Sequence, residues 1–147
     1  MAQSVLPDSL TSKRMPNIVF GTYPNYTFLK DPQSGRLFPA SDEDTDAIMR
    51  QAIEIIVNVE RYKFIIYKNY YGMEWRGLIG HSLGIVMSEV QRRLTEAIKI
   101  DDRVVRVYGF KFTHNRQDEA LLIEFFVETL YSNLKFRFSL PYSPTGN

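Results

Sequence analysis

The stretch from Leu121 to Leu140 leaves few folds open. Leu134, Phe136, Phe138 and Leu140 alternate with Lys135, Arg137 and Ser139, the period-two pattern of a strand with one wet face. Just upstream, Leu121, Ile123, Phe125, Val127 and Thr129 share one parity. A tight turn around Ser132-Asn133 joins residues of opposite parity, so the two apolar rows meet on one face. The other face then sets Glu124 and Glu128 near Lys135 and Arg137, a favourable cross-strand match. The segment "RVVRVYGFKFT" (103–113) predicts a third strand, with a bulge at Gly109 where the apolar parity shifts, and "HNRQDE" (114–119) as the turn after it. The last strand, 134–140, is expected at a sheet edge, because nothing in "PYSPTGN" is able to cover it. Such an edge can pair with a partner chain; Lys135 and Arg137 equally suit a guard against unwanted pairing.

A half-wet sheet needs a cover, and two helices are expected to supply it. In "SDEDTDAIMRQAIEIIVNVE" (41–60), Ser41 or Asp42 can cap and acids fill the first turn. Ile48, Ala52, Ile55 and Val59 then form one apolar face. In the second helix, Ser82 is the expected cap, and Leu83, Val86, Met87, Val90, Leu94, Ala97 and Ile98 form one stripe, with Arg92, Arg93 and Glu96 away from it. Upstream, "TYPNYTFLKDPQSGRLFP" (22–39) reads as two short extended pieces about a turn at 31–35, kept short by Pro24 and Pro39. "RYKFIIYK" (61–68), rich in aromatic and branched residues, is expected to be a strand or extended segment. The fold class is α+β: a small single domain with two main helices on a mostly antiparallel sheet that ends in a C-terminal β-meander. Residues 1–17 read as a flexible arm, 18–140 as the domain and 141–147 as a tail.

Reactive chemistry finds little support. The chain of 147 residues has no cysteine, which excludes disulfides and thiolate metal sites. His81 and Ser82 in "GHSLG" fit a loop and a cap rather than a dyad, and His114 is expected exposed in a turn. Two distant histidines give no zinc spacing. Asp42, Glu43, Asp44 and Asp46 lack the glycine and terminal glutamate of a calcium loop. Gly77, Gly80 and Gly84 have no Walker lysine beside them. Glu74, set among aromatic residues, is the one candidate acid for a glycosidase, and no second carboxylate pairs with it convincingly. A net charge of +1 argues against a dedicated nucleic-acid binder, despite the basic and aromatic "RYKFIIYKNYYG". The N-terminus has no apolar run of secretory type, and no run is long enough for a bilayer.

"QAIEIIVNVERYKFIIYKNYYGMEWRGLIG" followed by "SEVQRRLTEAIKIDDRVVRVYGFKF" resembles the baseplate wedge family of contractile phage tails, in the branch of Gram-positive prophages and tail-like bacteriocins. The elements that carry it are Val59-Glu60-Arg61-Tyr62, Ile66-Tyr67, Tyr71-Gly72-Met73-Glu74 and Leu78-Ile79-Gly80. The likeness covers roughly residues 46–130. The family's Glu-Pro-Arg signature after its long helix corresponds here to Asp101-Asp102-Arg103, with acid and arginine kept and proline absent.

The resemblance implies a structural baseplate protein with no catalytic residues, no metal and no cofactor. Several copies around the tail tube would join wedge proteins to the sheath and act as its initiator, beside neighbouring tube or hub proteins. It would sit in the baseplate of a virion or tail-like particle, assembled in the bacterial host cytoplasm, without nucleic-acid or membrane partners. The expected sheath-contact strand is Leu134, Lys135, Phe136, Arg137, Phe138, Ser139 and Leu140. Glu60, Arg61, Glu74, Asp101, Asp102 and Arg103 are implied to be structural polar residues around the core, with an arginine–carboxylate pair fixing the helix-to-sheet angle. The alternative is a tail-associated cell-wall hydrolase with Glu74 as acid.

Overall fold

The computed structural model describes residues 27–41, 43–78 and 80–143. The expected N-terminal arm and residues 144–147 lie outside the described residues, as do Asp42 and Ile79. The C-terminal half is a three-stranded antiparallel meander of β3 (Val104–Asn115), β4 (Ala120–Thr129) and β5 (Asn133–Pro141), with β4 central. Its register is the one the apolar rows require: Leu121 faces Leu140, Ile123 faces Phe138, Phe125 faces Phe136 and Val127 faces Leu134. At the turn, the Thr129 hydroxyl donates to the Ser132 carbonyl and accepts from the Tyr131 and Ser132 amides, which explains how it is buried without cost.

Gly109, with φ of +68°, lies at a register break between Tyr108 and Lys111. The inward residues of β3 accordingly change parity, from Val107 to Phe110 and Phe112. A Cβ at Gly109 would come within 2.9 Å of the Phe126 ring. β3 runs two residues further than the sequence suggests, so His114 is not an exposed turn residue. It sits in the strand with its ring edge-on to Tyr142 at 5.5 Å. On the wet face Lys135 pairs with Glu124 at 3.2 Å as expected, whereas Glu128 pairs with Arg106 of β3, its register neighbour, rather than with a cation of β5.

The inner face carries stacked phenyl rings. Phe125 lies 5.2 Å from Phe110, 5.7 Å from Phe136 and 5.9 Å from Phe138, between ring centroids, all within the range of favourable aromatic pairs. Helices α1 (Thr45–Asn58) and α2 (Leu83–Ile98) cover this layer. α2 buries Val86, Val90, Leu94, Ala97 and Ile98, the predicted stripe, with Leu83 and Met87 packed at its margin. Arg93 does not point away as predicted; its guanidinium reaches the Glu74 and Arg76 carbonyls at 2.9 and 3.1 Å.

α1 departs further from the sequence reading. It begins at Thr45 with Asp44 at the cap position, and the Asp44 carboxylate accepts from the Ser41 amide and hydroxyl instead of the helix amides. Those two contacts, the Ser41 hydroxyl first, hold the Asp44 carboxyl below its ordinary value. Its buried face is Ile48, Met49, Ile53, Ile56 and Val57, not the row Ile48, Ala52, Ile55 and Val59. The helix is apolar around more than half its circumference, and the sheet takes the side with Met49 and Ile53.

The N-terminal pieces form a two-stranded sheet, β1 (Phe28–Lys30) with β2 (Leu37–Pro39), joined by the predicted turn. Asp31 closes that turn by accepting from the Gln33 amide at 3.0 Å and from Ser34. Gln51 of α1 clamps β1 at both polar ends of its amide, donating to the Phe28 carbonyl at 2.8 Å and accepting from the Lys30 amide at 3.0 Å.

Candidate functional site

Two places stand out: the buried polar turns that join helices to sheet, and the border of β5, which no strand among the described residues covers. The first begins in the link between the helices. The Val59–Tyr62 segment and the Tyr71–Glu74 segment lie side by side, with the Met73 amide donating to the Val59 carbonyl at 2.9 Å and the Arg61 amide to the Met73 carbonyl at 3.0 Å. Gly72 sits where they touch, at φ of +97°, and a Cβ there would fall 2.5 Å from the Val59 carbonyl oxygen. Only glycine allows this approach. Side chains then lock it. Arg61 donates to the Gly72 carbonyl at 3.2 Å and reaches Glu96 of α2 at 3.4 Å. The Glu60 carboxylate accepts from the Arg76 amide at 3.2 Å, and the Trp75 indole donates to the Val57 carbonyl at 2.8 Å.

At the far end of α2, Arg103 grips Asp101 with two parallel bonds, Nε to Oδ1 at 2.9 Å and Nη2 to Oδ2 at 2.7 Å. Both side chains are about nine-tenths covered, each with 11% relative exposure. Asp101 also accepts from the Arg103 amide at 3.0 Å, so the pair bridges the end of α2 and the start of β3. Asp102, counted with them from sequence, is exposed and takes no part in this fork. Glu74 is half-buried and enters the network through its backbone carbonyl.

Burial by itself would raise the Asp101 carboxyl. The Arg103 side chain and then the Arg103 amide outweigh it, so the group is held below the usual 3.8. A depressed folded value means that its contribution is complete above 3.8 and is lost as the pH falls through the folded value. Arg103→Ala should therefore lower stability by about 2–3 kcal/mol at neutral pH, since it leaves a buried carboxylate unmatched. Asp101→Asn should be destabilised as well, with its deficit against the parent narrowing below pH 3.8. Urea unfolding of both variants across that range checks the assignment; a deficit that grows in acid would refute it.

The second place is β5. Thr129 and Ser132 form a hydrogen-bonded pair, with the Thr129 amide donating to the Ser132 carbonyl at 2.8 Å. Alternation from there directs the backbone of Leu134, Phe136, Phe138 and Leu140 towards β4 and that of Asn133, Lys135, Arg137 and Ser139 outwards. Arg50 of α1 closes one outward position, donating to the Lys135 carbonyl at 3.1 Å with its guanidinium 5.2 Å from the Phe136 ring centre. Pro141, at the strand's end, has no amide to offer. Beyond that plug Arg137 and Ser139, both exposed, form the uninterrupted part of the border, with Asn133 outward on its other side. The opposite edge, β3, is broken by register shifts at Val104/Arg106 and Tyr108/Lys111 and makes a poorer template. Sequence alternation exposes the edge but not the plug, because the contact between Arg50 and Lys135 spans 85 residues.

Chemistry is sparse by comparison. Among the described residues, no group of three or more His, Cys, Asp or Glu side chains converges to hold a metal ion, and no helix is long and apolar enough to cross a membrane. His81 and His114 line one cavity of about 650 Å³ with Ser82, Glu119 and Tyr142. His81 gives its backbone carbonyl to the Tyr142 hydroxyl at 3.0 Å, and Ser82 occupies the cap position of α2.

The described residues thus form a helix-covered meander braced by buried polar turns, with one regular strand border that no described strand covers. The chain belongs to the contractile injection system sheath initiator family, which matches residues 27–132; the match runs from β1 to the turn before β5. It is a structural component of a contractile tail-like machine. No curated protein matches the chain. Among solved structures, a crystal structure from Geobacter sulfurreducens that carries a tail-lysozyme label is similar over 73% of this chain and 97% of its own, at 15% identity and a TM-score of 0.49. A likeness at that level says nothing of activity.

Proposed function

We propose that this chain is a non-enzymatic baseplate protein that links inner wedge proteins to the first sheath ring and starts the sheath by strand pairing at β5. The observation that carries the reading is the outward backbone of Arg137 and Ser139 on the regular border of a braced sheet that no strand among the described residues pairs with. Main-chain pairing there supplies contact, and the alternating side chains supply register. Membership of the sheath initiator family supports the same role. Several copies around a tube would turn one modest contact into a stable platform. On this reading Glu60, Arg61, Glu74, Asp101 and Arg103 hold the sheet at its angle to the helices and do no chemistry.

Tails assembled without this chain should carry tube but no attached sheath, and supplying it should restore sheath of normal length. Glu74→Gln should restore sheath equally well and leave peptidoglycan release unchanged. Lost release with intact sheaths would replace the structural reading with a hydrolase that uses Glu74 as acid.

A further inference from the structure

The segment between Arg61 and Tyr71 does not form the strand that its composition suggests. It is a series of turns, with Tyr62 held at φ of +66° and Tyr67 stacked on Tyr71 at 4.7 Å. Its apolar side chains face outwards: Ile65 is fully exposed and Ile66 84% exposed, and Tyr62, Phe64 and Tyr70 are exposed too. The aromatic run is therefore no core element; only its end, from Tyr71 to Leu78, reaches the core. Of the thirteen large apolar residues exposed among the described residues, nine lie on this tongue, on β1 and β2, or at Ile55 of α1. Single exposed apolar residues are ordinary, but a cluster confined to one end of a molecule marks an interaction surface.

These elements enclose a groove of about 1160 Å³. Leu29, Phe38, Ile55, Phe64, Ile66 and Tyr67 give it apolar walls. The Gln51 clamp holds the β1–β2 wall on α1, so the groove is preformed. Of the charged residues in its lining Lys30 and Arg50 are basic and Glu54 is acidic, and the exposed tongue beside it adds Lys63 and Lys68 with no acid between Glu60 and Glu74. We propose that this groove takes an amphipathic segment of a second protein, apolar on one side and acidic on the other. The concave form favours a protein segment, whose side chains can fill it, over a bilayer, which meets convex apolar surfaces. The proposal deepens the reading of the chain as a link, by giving a partner other than the sheath a surface, and rests on that reading for the partner's place in the particle. It uses no residue of β5.

The test titrates the full chain with two synthetic helical peptides that share a leucine face, one with glutamates on its polar side and one with lysines, and with neutral and anionic phospholipid vesicles. The glutamate peptide should bind at least about tenfold more tightly than the lysine peptide. Ile66→Ser should weaken it about tenfold without moving the unfolding midpoint, since that side chain is exposed. Lys63→Glu with Lys68→Glu should abolish the preference. Equal binding of the two peptides, binding of neither, a preference for vesicles, or self-association that Ile66→Ser removes would each overturn the proposal. Failure here, with sheath assembly still dependent on β5, removes the groove and leaves the strand reading intact.

Discussion

Phe125→Ala will lower the stability of this domain by about 3–5 kcal/mol, the range for a fully buried phenyl replaced by methyl. Phe125 has no exposed surface and stands in the central strand, with Phe110 on one side and Phe136 and Phe138 on the other. The sheet cannot close over the gap, because β3 and β5 are both held in register to β4. Set against a typical domain stability of about 5–15 kcal/mol, the loss leaves a marginal protein. Urea unfolding with an unchanged slope reads it directly. A deficit below about 1 kcal/mol would mean that the stacked layer is not what holds helices to sheet. Phe136 is the less clean position for a polar substitution: the Arg50 guanidinium over its ring would meet an introduced carboxylate and offset part of the penalty.

Arg137→Pro is expected to abolish sheath attachment while the domain stays folded. Proline at this position removes an amide that faces away from β4 and so breaks no bond of the β4–β5 ladder. It removes the donor that a neighbouring strand would need and sets a ring in that strand's path. Arg137→Ala, which keeps the amide, should assemble sheath normally. The readouts are the unfolding midpoint of the purified chain and electron micrographs of tails built with it. Normal sheaths on tails carrying the proline variant would end the docking role proposed for β5. Deleting the strand outright is a poor substitute, since Leu134, Phe136 and Tyr142 are buried in the core and their loss would unfold what the assay needs intact.

The parts of this fold that were legible in sequence are those where one periodicity had no rival. The meander follows from clean alternation in Leu121–Leu140 and from the parity change at Gly109, and α2 from a single apolar stripe. The buried face of α1 is ambiguous in sequence because two apolar rows share one helix, and only the tertiary partner decides between them: Met49 and Ile53 go to the core, while Ile55 goes to the groove wall. The 61–68 segment departs from its strand-like composition because strand propensity acts only where a neighbouring strand exists. Here Arg61 and Gly72 tie its two ends together, and the residues between them are pushed outwards. The resemblance implies an arginine–carboxylate pair near Arg103, and which aspartate fills the fork depends on turn geometry that the sequence does not display.

The Arg50 plug at the Lys135 carbonyl and Pro141 leave Arg137 and Ser139 as the uninterrupted run of the β5 border, four backbone groups between them. A strand laid against it gains on the order of 2–6 kcal/mol at about 0.5–1.5 kcal/mol for each net hydrogen bond. Bringing two free molecules together costs an estimated 4–15 kcal/mol. On the strand-pairing reading proposed above, isolated molecules would not hold together by this strip alone, and adhesion would begin where scaffolding holds many such borders in a circle. If β5 pairs as proposed, so short a strip makes sheath growth wait for a ring of such borders.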